Sequence, residues 1–172
     1  MEYFILPVTW EKTTLYLIYF SNDDDGIVMS PEQKFAMASS RAEALALAKK
    51  RKLSLQEAEM ELLDLGVIQS WVNSRSMKVP EANLIYRSWN FFGDVATSLK
   101  LADHYLGYDE DYISLHDELF WGCNMPGLTQ SAERYEVDLS QSEIRNLRSI
   151  LRSGLEIFRQ GLNPVASEQV KQ

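Results

Sequence analysis

Apolar residues near the start of the chain recur at every second position, as they do along one face of a β-strand. This alternation covers residues 3–10, YFILPVTW, in which Pro7 favours an edge strand or a bulge. Residues 13–20, TTLYLIYF, are rich in β-branched and aromatic side chains and apolar on both faces, which is typical of a central strand. We therefore predict a hairpin that pairs the two strands through a turn at Glu11 and Lys12.

The polar stretch SNDDDGIVMSPE, residues 21–32, has two interpretations. It supplies matching residues at the third, fifth, sixth and twelfth places of a calcium-binding loop. Asp25 and Gly26 are also the dipeptide that supplies the positive φ angles of a tight hairpin turn, and a strand rather than a helix precedes them. We predict the turn, followed by short strands at 27–29 and 34–38.

Capping boxes, in which a serine is followed three residues later by a glutamate, mark helix starts at Ser40, Ser54 and Ser140. The helix from Ser54 is expected to end at Gly66. The next stretch, VIQSWVN at 67–73, is compatible with a strand or a helix, because its periodicity does not decide between them.

Apolar residues at helical spacing extend these predictions toward the end of the chain. The helix after Pro80 is expected to continue to Leu106, with Gly107 placed to end it. The last helix has the clearest apolar stripe, and Gly161 and Pro164 are placed to stop it.

Strands at 1–38, helices at 40–162 and a frayed tail at 163–172 predict a single α+β domain. A small N-terminal antiparallel sheet of hairpins would pack with about four to five helices, and the C-terminal half would be mostly helical. A chain of 172 residues buries roughly two thirds of its unfolded surface, which is enough for one core without metals or disulfides.

The composition favours a folded protein of the cytoplasm. Hydrophobic residues make up 45% of the chain, and four Trp, eight Tyr and seven Phe argue against disorder. The start, MEYFILPVTWEK, has no basic leader, and no apolar run approaches the roughly 18 residues of a membrane span. The one cysteine suits a reducing compartment.

The charge of the chain favours a basic protein as its partner. A net charge of −8 disfavours nucleic acid, because phosphates are repelled before contact. The charge is unevenly distributed, since residues 101–133 contain seven acids and no Lys or Arg. These acids are Asp103, Asp109, Glu110, Asp111, Asp117, Glu118 and Glu133.

Aromatic residues are interleaved with these carboxylates, as in a surface that binds a cationic partner. The carboxylates would steer the approach of the partner, and the aromatics would supply desolvated area. The alternative is that the aromatics belong to the core and the acids to a solvated face. The residues that we predict to bind a partner are Asp109, Glu110, Asp111, Asp117, Glu118, Tyr108, Tyr112 and Trp121.

Catalytic and metal chemistry have little support in the sequence. His104 and His116, with neighbouring carboxylates, are a conceivable set of metal ligands, but no H-E-x-x-H pair occurs. Cys123 is expected to be a small buried hydrophobe rather than a nucleophile. No phosphate loop, dinucleotide fingerprint or G-x-S-x-G motif is present, so we predict no enzymatic activity, no cofactor and no metal.

Four arginines lie on one face of the last helix, beside its apolar stripe. They could hold phosphate, but the overall negative charge favours internal pairing, with the acidic segment as a candidate, or solvation. These arginines are Arg145, Arg148, Arg152 and Arg159.

The early hairpin, the acidic α+β make-up and the segment YLGYDEDYISLHDELFW (105–121) give the chain a general resemblance to immunity proteins of bacterial toxin–immunity pairs, including contact-dependent inhibition systems. The resemblance implies a non-enzymatic protein that binds a cognate toxin domain, often a basic nuclease, and blocks its active site or substrate channel. A metal-dependent enzyme using His104 and His116 and a self-associating adaptor are the alternatives, and the oligomeric state stays open.

Overall fold

The computed structural model describes residues 1–128 and 133–162. Within those ranges the sheet has five strands, and two long ones form its centre. In chain order the strands are β1 (Glu2–Trp10), β2 (Thr13–Ser21), β3 (Gly26–Ile27), β4 (Met37–Ala38) and β5 (Leu63–Asp64). β5 pairs with β1 in parallel, so the sheet is mixed, whereas the sequence predicts one that is antiparallel throughout. The tail predicted to fray, 163–172, lies outside the described residues.

Helices follow and cover this sheet, which confirms the α+β class and the mostly helical C-terminal half. They are α1 (Arg41–Lys50), α2 (Leu65–Asn73), α3 (Ala82–Ser98), α4 (Ile113–Gly122) and α5 (Gln141–Gly161). The stretch 67–73 is therefore helical.

Successive residues of β2 contact different layers, because side chains alternate across a strand. Leu17 and Tyr19 join the main core with α3 and α5, whereas Ile18 packs in a smaller cluster with Ala48 of α1.

The first hairpin is confirmed. β1 and β2 pair in antiparallel register from Glu2 and Ser21 to Trp10 and Thr13. The two turn residues, Glu11 and Lys12, have φ angles of 44° and 69°. Positive φ at both central positions gives the turn that matches the twist of the flanking strands.

The second hairpin is present, but the expected role of its glycine is wrong. Asp25 and Gly26 are not at positive φ, and Gly26 already pairs with Phe20 in the sheet. A Cβ atom at Gly26 would lie 2.6 Å from the ring of Phe20 and 2.7 Å from Oγ of Ser98. The glycine is therefore needed for close packing rather than for a special backbone conformation.

The helix predicted from Ser54 to Gly66 is wrong. Residues 53–62 contain no helix, and the amide of Gln56 donates to the carbonyl of Tyr3 at 2.8 Å. This segment runs beside β1 and leads into β5. The edge of β1 that does not pair with β2 offers backbone hydrogen bonds to this segment. A capping box would have satisfied only the amides at the start of a helix.

The helix after Pro80 ends earlier than predicted. α3 stops at Ser98, and Lys100 follows with a φ of 59°. The chain then forms three short 3₁₀ turns, Ala102–His104, Leu106–Tyr108 and Glu110–Tyr112, which lead into α4. Residues 101–112 thus cross back over α3 instead of extending it.

Two of the predicted caps are confirmed as helix starts, with different geometry. At α5 the Ser140 hydroxyl accepts from the amide of Glu143, and the Glu143 carboxylate accepts from the amide of Ser140, which completes the capping box. At α1 the Ser40 hydroxyl accepts from the amide of Glu43. The carboxylate of Glu43, however, accepts from the amide and hydroxyl of Ser39.

Close packing of α3 against α5 forms the centre of the core. Gly154 of α5 lies directly under the ring of Phe92, and a Cβ atom at this glycine would overlap that ring. Phe92 and Phe158 are both fully buried. A larger side chain at residue 154 would force the two helices apart.

Gly154→Ala should therefore destabilise the protein, although alanine usually stabilises a helix interior. We expect a loss of about 1 to 3 kcal/mol in the free energy of unfolding, because the added methyl overpacks the core. Ser149→Ala, at an exposed position of the same helix, is the control and should change stability little. Denaturant unfolding of both variants measures the difference, and a stabilised Gly154→Ala variant would contradict the packing argument.

Candidate functional site

A cavity of about 680 Å³ lies between the sheet, α3 and the segment that crosses α3. Its volume is in the range of small-molecule binding pockets. The first wall comes from β2 and α3, the second from residues 107–113, and Arg87 and Met60 border it on the side of the 53–62 segment. Aromatic and acidic side chains dominate this lining.

Three residues from separate parts of the chain meet in the cavity. The hydroxyl of Tyr19, on β2, donates to Oδ2 of Asp94, on α3, at 2.9 Å. Asp25, from the loop between β2 and β3, approaches the same hydroxyl, and both carboxylates add to the effect of burial in raising the pKa of Tyr19. The tyrosine therefore stays protonated and acts as the hydrogen-bond donor to Asp94.

Asp94 is an acid in partly apolar surroundings. Burial raises its pKa to about 6, the hydrogen bond from Tyr19 opposes the rise, and the charge of Asp25 adds to it. Among the described residues no cationic side chain forms an ion pair with either carboxylate. The two acids therefore leave a negative potential in the cavity that the protein itself does not neutralise.

Hydrogen bonds hold the crossing segment against α3 and so shape the second wall. The buried hydroxyl of Tyr105 donates to the carbonyl of Trp89 at 2.8 Å, and the indole N–H of Trp89 donates to the carbonyl of Gly107 at 3.1 Å. The hydroxyl of Tyr108 lies 3.2 Å from Oγ1 of Thr97. These contacts fix residues 105–108 at the edge of the cavity.

The structure brings half of the predicted partner-binding residues to this cavity. Tyr108, Asp109, Glu110 and Tyr112 all line it. The side chains of Asp109 and Glu110 are exposed at its rim, while Tyr112 is partly buried against the core. Tyr108 is 52% exposed.

Of the other predicted residues, Asp111 lies on the third 3₁₀ turn, and Asp117, Glu118 and Trp121 lie on α4. Ile113, Asp117 and Trp121 follow one another at intervals of four residues, so they share a helix face, and all are exposed. Ile113 also lines the cavity, and this residue joins the two regions. We define the acidic face as the exposed residues Tyr108, Asp109, Glu110, Asp111, Ile113, Asp117 and Trp121.

Glu118 is set apart from this face. Its Oε2 accepts from the hydroxyl of Tyr135 at 2.5 Å, and its Oε1 accepts from the amide of Asp138 at 3.3 Å. These contacts attach the segment before α5 to α4. Glu118 therefore has a role within the fold, and it is not part of the acidic face.

The histidines and the cysteine have structural surroundings. Nε2 of His116 lies 3.0 Å from Oδ1 of Asn90, and burial lowers the pKa of this histidine. His104 is exposed on the first 3₁₀ turn. Within 1–128 and 133–162, no three His, Cys, Asp or Glu residues are grouped closely enough to hold a metal. The Cys123 thiol donates to the carbonyl of Leu119 at 3.2 Å, and burial raises its pKa.

Two arginines of α5, Arg148 and Arg152, bind the end of α2 rather than the acidic segment, while Arg159 lies over the ring of Trp10 and Arg145 is exposed. The guanidinium of Arg148 donates to the carbonyls of Ser74 and Ser76, both at 2.8 Å, and stacks over the ring of Trp71. Arg152 donates to the carbonyl of Val72 at 3.1 Å. They satisfy carbonyl groups at and just beyond the end of α2, and the ion pairs between described residues include no acid of residues 109–117.

Sequence reasoning missed Tyr19 and Asp94. A signal for Asp94 was present, since FFGDVA places a single acid within an apolar run of a helix. An acid at such a place is either solvent-exposed or held in a polar site within the core. Tyr19 gave no comparable signal, because tyrosine is common in strands.

Comparison of the chain with protein-family models, curated proteins and solved structures found no match. The described helices include none with the length and hydropathy required to cross a membrane.

Replacement of Asp94 by asparagine should stabilise the protein near neutral pH. The folded-state pKa of about 6 exceeds the reference value of 3.8, so the folded protein holds the proton of Asp94 more strongly than the unfolded chain does. As the pH rises from the reference value through about 6, Asp94 ionises and the folded protein loses stability. We expect Asp94→Asn to gain about 1 kcal/mol at neutral pH, a value discounted for partial exposure, and the gain to disappear near the reference pKa.

Thermal unfolding at several pH values measures this gain. Asp103→Asn, which removes an exposed carboxylate, is the control and should change stability little at any of them. The amide oxygen of asparagine can still accept the hydrogen bond from Tyr19. An Asp94→Asn variant that is less stable than the native protein at neutral pH would contradict the cost assigned to this carboxylate.

Proposed function

We propose that the acidic face binds a basic protein, and that the chain is a non-enzymatic immunity protein that neutralises a cognate toxin domain in the cell that makes both. The observation that carries this proposal is the exposed row of carboxylates and large apolar side chains that includes Asp109, Glu110, Ile113, Asp117 and Trp121. The general resemblance of the chain to toxin-neutralising immunity proteins supports the same conclusion.

The charge of the acidic face supports a cationic partner. Asp109 accepts from the amide of Asp111 at 3.0 Å, a contact that leaves its charge in place. The ion pairs between described residues, Arg41 with Glu59 and Arg87 with Glu61, do not include these acids. Uncompensated carboxylates attract a basic surface and raise the association rate.

The apolar part of the face supports a protein partner rather than a small ion. Ile113 is 57% exposed and Trp121 is 45% exposed, although both are large hydrophobic residues. Aromatic and aliphatic side chains in this position supply the desolvated centre of protein interfaces, and the acids around them supply the polar rim. Carboxylates on such a surface would occupy the groove in which a nuclease holds phosphates.

The test of this function is whether the adjacent upstream gene encodes a toxin domain, and whether co-expression of the chain protects cells that express that domain. We expect the chain to restore growth of cells that express the toxin domain and to form a stable complex with it in purification. Unrestored growth, when both proteins are present in soluble form, would contradict an immunity function.

The rate of association should depend on the acidic face. Reversal of Asp109, Glu110 and Asp111 to lysine should slow association with the purified toxin domain by roughly tenfold or more at low salt and should weaken its salt dependence. Stopped-flow fluorescence measures both quantities.

The matched control reverses three exposed glutamates elsewhere, namely Glu57, Glu136 and Glu156. This triple variant changes the net charge of the protein by the same amount. Equal association rates for the two triple variants would show that overall charge, and not the acidic face, attracts the partner.

A further inference from the structure

We infer that the cavity beside the acidic face is a guanidinium pocket, which accepts an arginine side chain of the basic partner. This inference rests on the proposed function and adds the chemical group that is recognised. Its basis is the arrangement of carboxylates and aromatic rings around a single space that reaches from Asp94 to the rim at Glu110.

The charges around the cavity are complementary to a cation. Asp94 lies at its inner wall, Asp25 borders it from the β2–β3 loop, and Asp109 and Glu110 lie at the rim. Among the described lining residues only Arg87 carries a permanent positive charge. Arg87 already donates to a carboxylate oxygen of Glu61 at 3.0 Å and to the Glu61 carbonyl at 2.9 Å, and these contacts hold its guanidinium.

The walls favour a guanidinium over an ammonium group. The rings of Tyr108, which is exposed, and of Tyr112, which is partly buried, are available to the space, whereas Trp89 and Phe91, which also line it, are almost fully buried. A guanidinium is planar and weakly hydrated, so it can stack on such rings while its N–H groups bind carboxylates. An ammonium group keeps its water more strongly and cannot form the paired hydrogen bonds of a guanidinium.

The hydrogen bond from Tyr19 prepares Asp94 for this role. It holds Oδ2 at a fixed position, and Asp94 has no ion-pair partner among the described residues. A carboxylate in this setting reduces the stability of the folded protein, and a bound cation would remove that cost. Functional sites commonly retain such unfavourable groups.

The experiment uses Nα-acetyl-arginine amide as the probe and the nuclear magnetic resonance spectrum of the full chain as the readout. The indole N–H of Trp89 and the side-chain amide of Asn90 both belong to residues that line the cavity. We expect saturable shifts of these two signals. Nα-acetyl-citrulline amide, which has a similar shape without the charge, should cause no saturable shift, and Nα-acetyl-lysine amide should bind more weakly than the arginine probe.

Variants locate the binding. Asp94→Asn and Glu110→Gln should each lower the affinity for the arginine probe by roughly tenfold, because each removes a charge-assisted hydrogen bond. The side chain of Glu110 makes no hydrogen bond with another described residue, so its variant tests the pocket even if the Asp94 variant disturbs folding. Glu156→Gln, which removes an exposed acid of α5, should leave the affinity unchanged.

The affinity should also depend on pH through Asp94. Tyr19, Asp25, Tyr105, Tyr108 and His116 surround or face the same region, and protonation of His116 at low pH would also oppose a cation. The native protein should bind the arginine probe more tightly as the pH rises through about 6. The part of this dependence that disappears in Asp94→Asn belongs to Asp94.

The outcomes separate this inference from the proposed function. The pocket is supported if the arginine probe binds saturably and if both cavity variants weaken that binding. Equal binding of the arginine and citrulline probes, or binding that Asp94→Asn and Glu110→Gln leave unchanged, overturns it. If the pocket fails while reversal of the acidic face still slows toxin association, the immunity function stands without it. If growth is not restored although the arginine probe binds, the function fails and the guanidinium site remains.

Discussion

The hydrogen bonds between Tyr105, Trp89 and Gly107 are the contacts on which the candidate site depends. They hold the segment after α3 against the side of that helix. Tyr105 is only 3% exposed, so its hydroxyl needs a partner, and the carbonyl of Trp89 supplies one. The same contacts place Tyr108, Asp109 and Glu110 opposite β2 and enclose the cavity between them.

The core and the site use different sides of α3. Phe92 faces α5 and fills the space that Gly154 leaves, whereas Asp94 faces β2 and meets Tyr19. Because a rigid helix connects the two, the packing of the core positions the carboxylate in the cavity. The proposed pocket would therefore be formed before a partner arrives, and the ordering of side chains would cost little binding energy.

The acidic residues of the 101–133 segment have distinct roles. Glu118 fastens the segment before α5, Asp109 both caps a 3₁₀ turn and lines the cavity, and Asp117 lies on the open face of α4. Arg148 and Arg152 of α5 bind carbonyls at the end of α2, and the ion pairs between described residues include none of the acids of residues 109–117. The negative charge of Asp109, Glu110, Asp111 and Asp117 therefore persists at the surface, which is the condition that the proposed function requires.

The sequence by itself determined the elements whose signals are local. The alternation in β1 and β2, the turn at Glu11 and Lys12 and the capping box of α5 each depend on neighbouring residues, and the α+β class followed from them. Tertiary structure decided the elements whose backbone partners are distant. Residues 53–62 follow β1 because its free edge offers hydrogen bonds, and α3 ends at Ser98 because residues 101–112 bind its side. The meeting of Tyr19 with Asp94, 75 residues apart, is of this second kind, since no local pattern records which carboxylate a strand residue will reach.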